Sequence, residues 1–419
     1  MYFKRTIERT IEKLSKSFPA IVVYGPRQCG KSTVVNHVFK GKIQSVTLDD
    51  PDDLALAINN PKLFLETYPW PLIIDEIQRA PVLLSVIKRK IDERKQKWME
   101  NNQPNQLRYV LTGSNPFELQ QGISESLAGR VGVLEMNSFS LAEQEGIEGV
   151  PFDPDRNELF KKEQSGRKKY SMIEVFQKIF NGGMPGIVSE GINRDEYFRS
   201  YVSTYLEKDI CPLISAGSET EFLNFLSYVA LRTGQEVKYD DIASAIGINT
   251  RTVKRWLSIL RTSGIIAFLQ PFRKNTSNRI IKSPKLYFMD TGLASYLCRW
   301  PDAEMLSRCA MSGAFFETFV VSERIKSLRF HGLDYRSTLY YYRDIDQKEV
   351  DVLYFKNQTL YPIEIKQGIR PTKPNMNFNV LEKYHLPIQT GIILDCTDKI
   401  RPINERVYTV LYRTPNIGL

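Results

Sequence analysis

Residues 25–32 read Gly-Pro-Arg-Gln-Cys-Gly-Lys-Ser, a G-x4-G-K-S loop between the apolar run Ala20–Tyr24 and a helical pattern starting near Thr33. No other feature restricts the fold as much. Glycines at 25 and 30 permit a loop whose backbone N–H groups turn inward around an anion. Lys31 is spaced to reach β and γ phosphates and Ser32 to ligate magnesium, and the following helix offers its positive end to the same anion. Gly25, Pro26, Arg27, Gln28, Cys29, Gly30, Lys31, Ser32 and Thr33 are thus the expected contacts of a nucleoside triphosphate, with ATP and Mg2+ as cofactors.

Up to about Glu143, short apolar runs alternate with helical pattern: AIVVY at 20–24, SVTL at 45–48, PLIID at 71–75 and RYVLT at 108–112. This predicts an α/β fold, a P-loop NTPase parallel sheet covered by helices. The acidic partner of such a loop is present in PLIIDE: Asp75 to hold the magnesium through its water shell and Glu76 to polarise the attacking water. The strand Arg108–Leu111 ends in Thr112-Gly113-Ser114-Asn115, where Asn115, with Ser114 next in line, offers donor and acceptor to the γ-phosphate or the lytic water. Arg130, just before the strand Val131–Met136, suits a finger that stabilises transferred-phosphate charge in a neighbouring subunit, with Arg79 as the alternative.

These residues carry a resemblance. GPRQCGKST, LDDPDD at 48–53, IDEIQRAP at 74–81, LTGSN at 111–115, ESLAGRV at 125–131, NGGMP at 181–185 and TYLEKDI at 204–210 resemble a family of prokaryotic AAA-type ATPases that carry a C-terminal domain of unknown function. The resemblance covers nearly the whole chain. Cys29 and Ser32 stand where that family more usually has Val and Thr. It implies ATP binding, with hydrolysis expected, and leaves the physiological task open.

Asp240–Gly247 reads as a short helix ending in a Gly turn, and Arg251–Thr262 as a second helix. Gly264–Leu269 and Lys285–Phe288 suit the strands of a wing, so the unit reads as a winged helix-turn-helix. No acidic residue lies between Asn249 and Lys285, where Arg251, Lys254, Arg255, Arg261, Arg273, Lys274, Arg279, Lys282 and Lys285 are found. Arg251, Lys254, Arg255 and Ser258 share one helical face, opposite Trp256, Leu257 and Leu260. Arg251, Lys254, Arg255, Lys274 and Arg279 are the expected DNA contacts.

Further on, Glu349, Asp351 and Leu353 share one strand face, and a turn centred on Asn357-Gln358 sets Asp351 opposite Glu364. Lys366, two residues on, joins them. Asp351, Glu364 and Lys366 resemble the D…ExK core of restriction-endonuclease-like nucleases, with Glu317, in the helix 313–325, as the additional helical acid. The fold follows more readily than the activity.

The 419 residues divide into an AAA-type domain at 1–149, a linker and helical lid region at 150–217, a winged-helix domain at 218–292 and a restriction-endonuclease-like α/β domain at 293–419. Val150–Tyr170 reads as a linker or exposed insertion. The net charge of +9 leans toward a polyanionic partner. Five scattered cysteines with no CxxC pair argue against zinc or disulfides, and no apolar run approaches a membrane span, so a cytoplasmic protein is expected. Monomer, dimer and hexamer are all compatible. Three uses stay open: an ATPase that drives or gates action on DNA, a nucleotide-controlled scaffold with an inactive nuclease-like domain, and a defence or toxin-related nuclease gated by ATP.

Overall fold

The structure is a computed structural model that describes residues 2–101, 108–114, 126–155, 159, 170–204, 219–273, 283–368, 377–396, 401–404 and 407–411. The first part runs α1 (Ile7–Ser15), β1 (Ala20–Tyr24), α2 (Lys31–Val38), β2 (Gln44–Thr47), α3 (Pro51–Asn59), α4 (Pro61–Thr67), β3 (Leu72–Asp75), α5 (Val82–Asn101), β4 (Tyr109–Gly113) and β5 (Val131–Glu135). Its strands form a five-stranded parallel sheet in the order β2-β3-β4-β1-β5. Alternate residues bury to opposite faces. Val22, Ile74 and Leu111 join Ala57, Phe64 and Leu84 from α3 to α5, whereas Ile21, Ile73 and Val110 join Ile7, Ile11 and Val34 from α1 and α2. Burial on both faces is why the inner strands β1, β3 and β4 are mostly apolar, whereas the edge strands β2 and β5 are partly exposed. The pairing Tyr24↔Gly113 and Ile74↔Leu111 brings the segments that follow β1, β3 and β4 to one edge of the sheet.

The remainder begins with four helices, α6 (Leu141–Gln144), α7 (Met172–Asn181), α8 (Pro185–Val188) and α9 (Arg194–Tyr201). Next come α10 (Glu219–Ala230), β6 (Gln235–Glu236), α11 (Tyr239–Ile246), α12 (Thr250–Thr262), β7 (Ile266–Pro271) and β8 (Lys285–Phe288). The chain continues through α13 (Thr291–Leu297), α14 (Ala303–Arg308), α15 (Ser312–Phe330), β9 (Leu339–Arg343), β10 (Glu349–Lys356), β11 (Thr359–Ile365), β12 (Gly391–Asp395), β13 (Arg401–Asn404) and β14 (Val407–Leu411). Strands β6 to β14 make one nine-stranded sheet, ordered β13-β14-β12-β11-β10-β9-β7-β8-β6. The expected wing strands β7 and β8 pair as an antiparallel hairpin, and β7 also pairs in parallel with β9 through Gln270↔Tyr340 and Pro271↔Tyr341. The segments read from sequence as 218–292 and 293–419 therefore share a sheet and one core, which runs from Phe225 and Trp256 to Val352 and Ile392. The stretch read as a linker or exposed insertion sends Phe152, Leu159 and Tyr170 into that core, anchors hidden among polar neighbours.

Helix α15 joins the two sheets. Its start carries Phe315, Phe316 and Phe319 into the large core. Its end packs on the five-stranded sheet: Arg329 Nη1 lies 2.8 Å from Glu135 Oε1, and Phe330 is buried with Ile7 and Ile21. Thr10 Oγ1 donates to Phe330 O at 2.6 Å, Lys326 Nζ to Phe139 O at 3.1 Å, and Leu141 N to Glu323 Oε2 at 2.8 Å.

Candidate functional site

The loop after β1 has the strained geometry that its glycines permit. Gly30 caps α2 at φ 91°, and Gly25 lies so close to β5's extension that an added Cβ would stand 2.0 Å from Met136 O. Lys31 is buried and donates from Nζ to Pro26 O at 2.9 Å, across the mouth of the loop. Ser32 Oγ donates to Asp75 Oδ1 at 2.7 Å, and Thr112 Oγ1 donates to the same oxygen. Glu76, at φ 55°, accepts at Oε2 from Ser114 Oγ at 2.7 Å, from Ser114 N at 3.3 Å and from Gln78 Nε2. Burial would raise its pKa, but the Lys31 charge, the Gln78 and Ser114 bonds and the Arg27 charge outweigh it and hold Glu76 below the ordinary glutamate range.

Arg27, Lys31, Ser32 and Glu76 border a cavity of about 320 Å3, lined also by Asp49 and by Thr204 from the segment after α9. The donor chemistry fits a magnesium nucleotide: a hydroxyl and a carboxylate oxygen side by side for the ion, an ammonium and inward backbone for the phosphates.

Arg5 had no sequence signal beyond its place ahead of an amphipathic helix. Its Nη1 donates to Cys29 O at 2.9 Å, its Nη2 to Asn137 O at 2.8 Å, and its Nε lies 3.1 Å from Glu143 Oε1. It ties the phosphate loop to the segment after β5. Asn115 lies outside the described residues, and Ser114, with Gln78, bonds Glu76. Arg130 is far from the loop: β5 enters beside Ala20, so four residue steps, about 13 Å, separate the arginine's end of the sheet from Tyr24. Its guanidinium is held by Asp92, with Nε–Oδ1 at 2.6 Å and Nη2–Oδ2 at 3.0 Å. Arg79 pairs with Asp49 at 2.6 Å.

A second group of charges sits between α15, β8, β10 and β11. Asn357 and Gln358 both have positive φ, and the hairpin they close pairs Lys356↔Thr359 through Val352↔Ile363, the register that carries Asp351 toward Glu364. A bulge between Val350 and Leu353 bends β10 at Asp351. Asp351 Oδ2 accepts from Ile365 N at 2.8 Å, and Lys366 Nζ lies 2.6 Å from Glu364 Oε1. Glu317 Oε1 accepts from Lys285 Nζ at 2.9 Å and Tyr287 OH at 2.7 Å, and Lys285 also pairs with Glu349. Burial first, then the charges of Glu317 and Glu364, pushes the Asp351 carboxyl well above the usual aspartate range. Burial also raises Glu364, against the pull of Lys366.

Lys285 corrects the sequence reading, which grouped it with the basic residues of the wing; it is 3% exposed and faces the acids. Its signal was the i, i+2 pair Lys285 and Tyr287 on one face of a short apolar strand. Among the described residues, no group of three or more His, Cys, Asp or Glu side chains is disposed to hold a metal ion.

Helix α12 follows α11 after Gly247, which takes φ 80°, and is capped by Asn249 Oδ1 accepting from Thr252 N at 2.8 Å. Val253, Trp256, Leu257 and Leu260 are buried, and Arg251, Lys254, Arg255, Ser258 and Arg261 are exposed. Lys274 and Arg279 lie outside the described residues. The turn that ends α12 lies beside the phosphate loop: a Cβ added to Gly264 would stand 3.1 Å from Pro26 Cδ. No helix among the described residues is long and apolar enough to cross a membrane.

Comparison with known proteins divides the chain in three. Residues 17–145 match a family described as an AAA domain, 172–304 a domain of unknown function (DUF8612) and 312–414 a domain of unknown function (DUF4143). Uncharacterized proteins of Mycobacterium tuberculosis and Mycobacterium bovis are each 26% identical over 357 residues, 84% of this chain and 71% of theirs. Among solved structures, the Walker-type ATPase of Pyrococcus abyssi is 16% identical at a TM-score of 0.40, covering 71% of this chain and 96% of that one. Cdc6p from Pyrobaculum aerophilum is 12% identical at a TM-score of 0.25, covering 65% and 86%. The parallel sheet, the loop with Lys31, Ser32 and Asp75 at its edge, and the family matched over residues 17–145 make the N-terminal part of this chain an AAA-type P-loop ATPase domain.

Proposed function

We propose that the protein is a magnesium-dependent ATPase whose nucleotide state drives or gates action on DNA. The observation that supports this is the approach of Gly264 to Pro26, which sets the end of the basic helix α12 beside the phosphate loop. Glu76, ionised by its surroundings, takes the proton of the attacking water; Ser32 and Asp75 hold the metal, and Lys31 leaves Pro26 O for the phosphates. Ser114, with Asn115 beside it, orients Glu76 and the water. Helix-turn-helix α11–α12 and hairpin β7–β8 have the order of a winged helix, and Arg251, Lys254 and Arg255 meet the DNA. The region 293–419 then serves as a nuclease-like domain around Glu317, Asp351, Glu364 and Lys366. Arg130 acts across a subunit boundary.

The test measures ATP turnover together with DNA affinity in the presence of ATP, ADP or no nucleotide. Glu76→Gln should keep nucleotide binding and lose roughly 10²–10⁴-fold in kcat. Reversing Lys254 and Arg255 to Glu should weaken DNA binding and flatten its salt dependence. DNA affinity indifferent to nucleotide and to both reversals sinks the reading. A second reading, a C-terminal domain that binds without cutting, is favoured by the engagement of Glu317 and Glu349 with Lys285.

A further inference from the structure

Among the described residues that line the nucleotide cavity, Thr204 alone comes from outside the AAA-type domain; it faces the same space as Lys31, Ser32, Asp49 and Glu76. It is brought there from the large core. Helix α9 is fixed in that core by Tyr197, Phe198 and Tyr201. Arg194, at its start, holds it further: Nε donates to Phe180 O at 3.0 Å and Nη2 to Ser295 Oγ at 2.8 Å. Just past α9 the backbone widens to π geometry at residues 202–204, a form that recurs at functional sites. Thr204 is exposed in this turn, and its Oγ1 donates to Ser200 O at 2.6 Å.

The rest of the lining decides which part of a nucleotide meets that hydroxyl. Ser32 and Glu76 belong to the metal and the attacked phosphate, at the opposite end of the nucleotide from the base. Asp49, the further acid on the cavity wall, is paired with Arg79 at 2.6 Å, which offsets its charge. A threonine hydroxyl has one proton to donate, and a charged phosphate oxygen is a stronger acceptor than the carbonyl that receives it here. We propose that Thr204 is a contact for the terminal phosphate of ATP, contributed to the phosphate-loop site by the part of the chain that carries the second sheet. The inference rests on the ATP-binding reading and names how that second part tells ATP from ADP. With ATP the Thr204 proton passes from Ser200 O to the phosphate; with ADP it stays. The difference is then felt in the last turn of α9, which is packed in the large core.

Isothermal titration calorimetry on the full-length protein with Mg2+ compares ADP with a non-hydrolysable ATP analogue. Thr204→Val keeps the shape of the side chain and removes the donor. It should bind the analogue about tenfold more weakly than the wild type does, and ADP within about twofold of the wild type. Thr204→Ser should restore the wild-type ratio. A folded Thr204→Val protein that binds both nucleotides like the wild type overturns the proposal. So does a loss shared equally by ADP and the analogue, which marks a packing role for the bond to Ser200 O, or a Thr204→Ser protein no better than Thr204→Val. A wild type that binds neither nucleotide overturns the proposal together with the ATP reading. Turnover is measured separately: if the wild type binds the analogue without hydrolysing ATP, the ATPase reading fails, while a selective Thr204→Val loss still supports the phosphate contact.

Discussion

The pair Glu135–Arg329 is the polar joint between the last strand of the ATPase sheet and helix α15, and its removal has a calculable effect. Arg329 Nη1 is 2.8 Å from Glu135 Oε1 and 3.0 Å from Asn137 Oδ1, with side chains 9% and 19% exposed for Arg329 and Glu135. Charge centres about 4 Å apart in an effective dielectric near 20 attract by about 4 kcal/mol, an upper figure before desolvation. Arg329→Met keeps the packing volume and leaves Glu135 without its counter-ion, which should destabilise by about 3 kcal/mol. Over an ATPase unit of this size that is a fall of about 6 °C or more in the first calorimetric transition. Glu135→Gln with Arg329→Met should recover part of the loss, giving a coupling of about 2 kcal/mol. The pH dependence has a definite sign. Burial already raises the Glu135 pKa, and Arg329 opposes it. Without Arg329 the folded-state pKa rises further, so stability is lost as pH climbs through it, and the penalty is larger at pH 8 than at pH 5. Single and double variants that are additive within about 0.5 kcal/mol would refute the reasoning.

Three further outcomes are expected. Asp351→Asn keeps an oxygen to accept from Ile365 N; because the folded Asp351 pKa is raised, the wild type loses stability as pH rises, so the variant should melt higher at pH 8 and converge with it in acid, as calorimetry would read. Gly25→Ala drives a methyl into Met136 O, should cost about 3 kcal/mol, and should abolish the rise in melting temperature that ATP gives the wild type. Arg130→Ala should lose turnover and regain part of it when mixed with an equally inactive Lys31→Ala protein, since a mixed assembly has one intact interface; no recovery on mixing excludes action in trans.

Much of the ATPase sheet was legible because its determinants are local. The runs at 20–24, 45–48, 71–75 and 108–112 each fall within one residue of β1 to β4; for the inner strands β1, β3 and β4 the reason is burial on both faces. The hairpin register at Asn357-Gln358 was likewise local. What escaped depends on pairing across distance. The partnership of β7 with β9 leaves no trace in either segment, so a boundary was drawn through a continuous sheet. Lys285 looked like one more basic residue because charge patterning does not report which side of a strand is covered. Arg5 acts on Cys29 and Asn137 across folds of the chain that only the tertiary structure supplies. Even the distance of Arg130 from the loop required the strand order, which is not encoded in any one strand.

The nine-stranded sheet has a mechanical consequence. Hairpin β7–β8, which follows the basic helix, is stitched to β9 and thence to β10 and β11, so it shares one sheet with the strands that carry Asp351 and Glu364. Helix α15 leads from this sheet to the five-stranded one: twelve residues, about 18 Å, separate Arg329 at its foot from Glu317. One continuous helix, rather than a string of loops, thus spans the distance from the sheet that carries the phosphate loop to the acids facing Lys285.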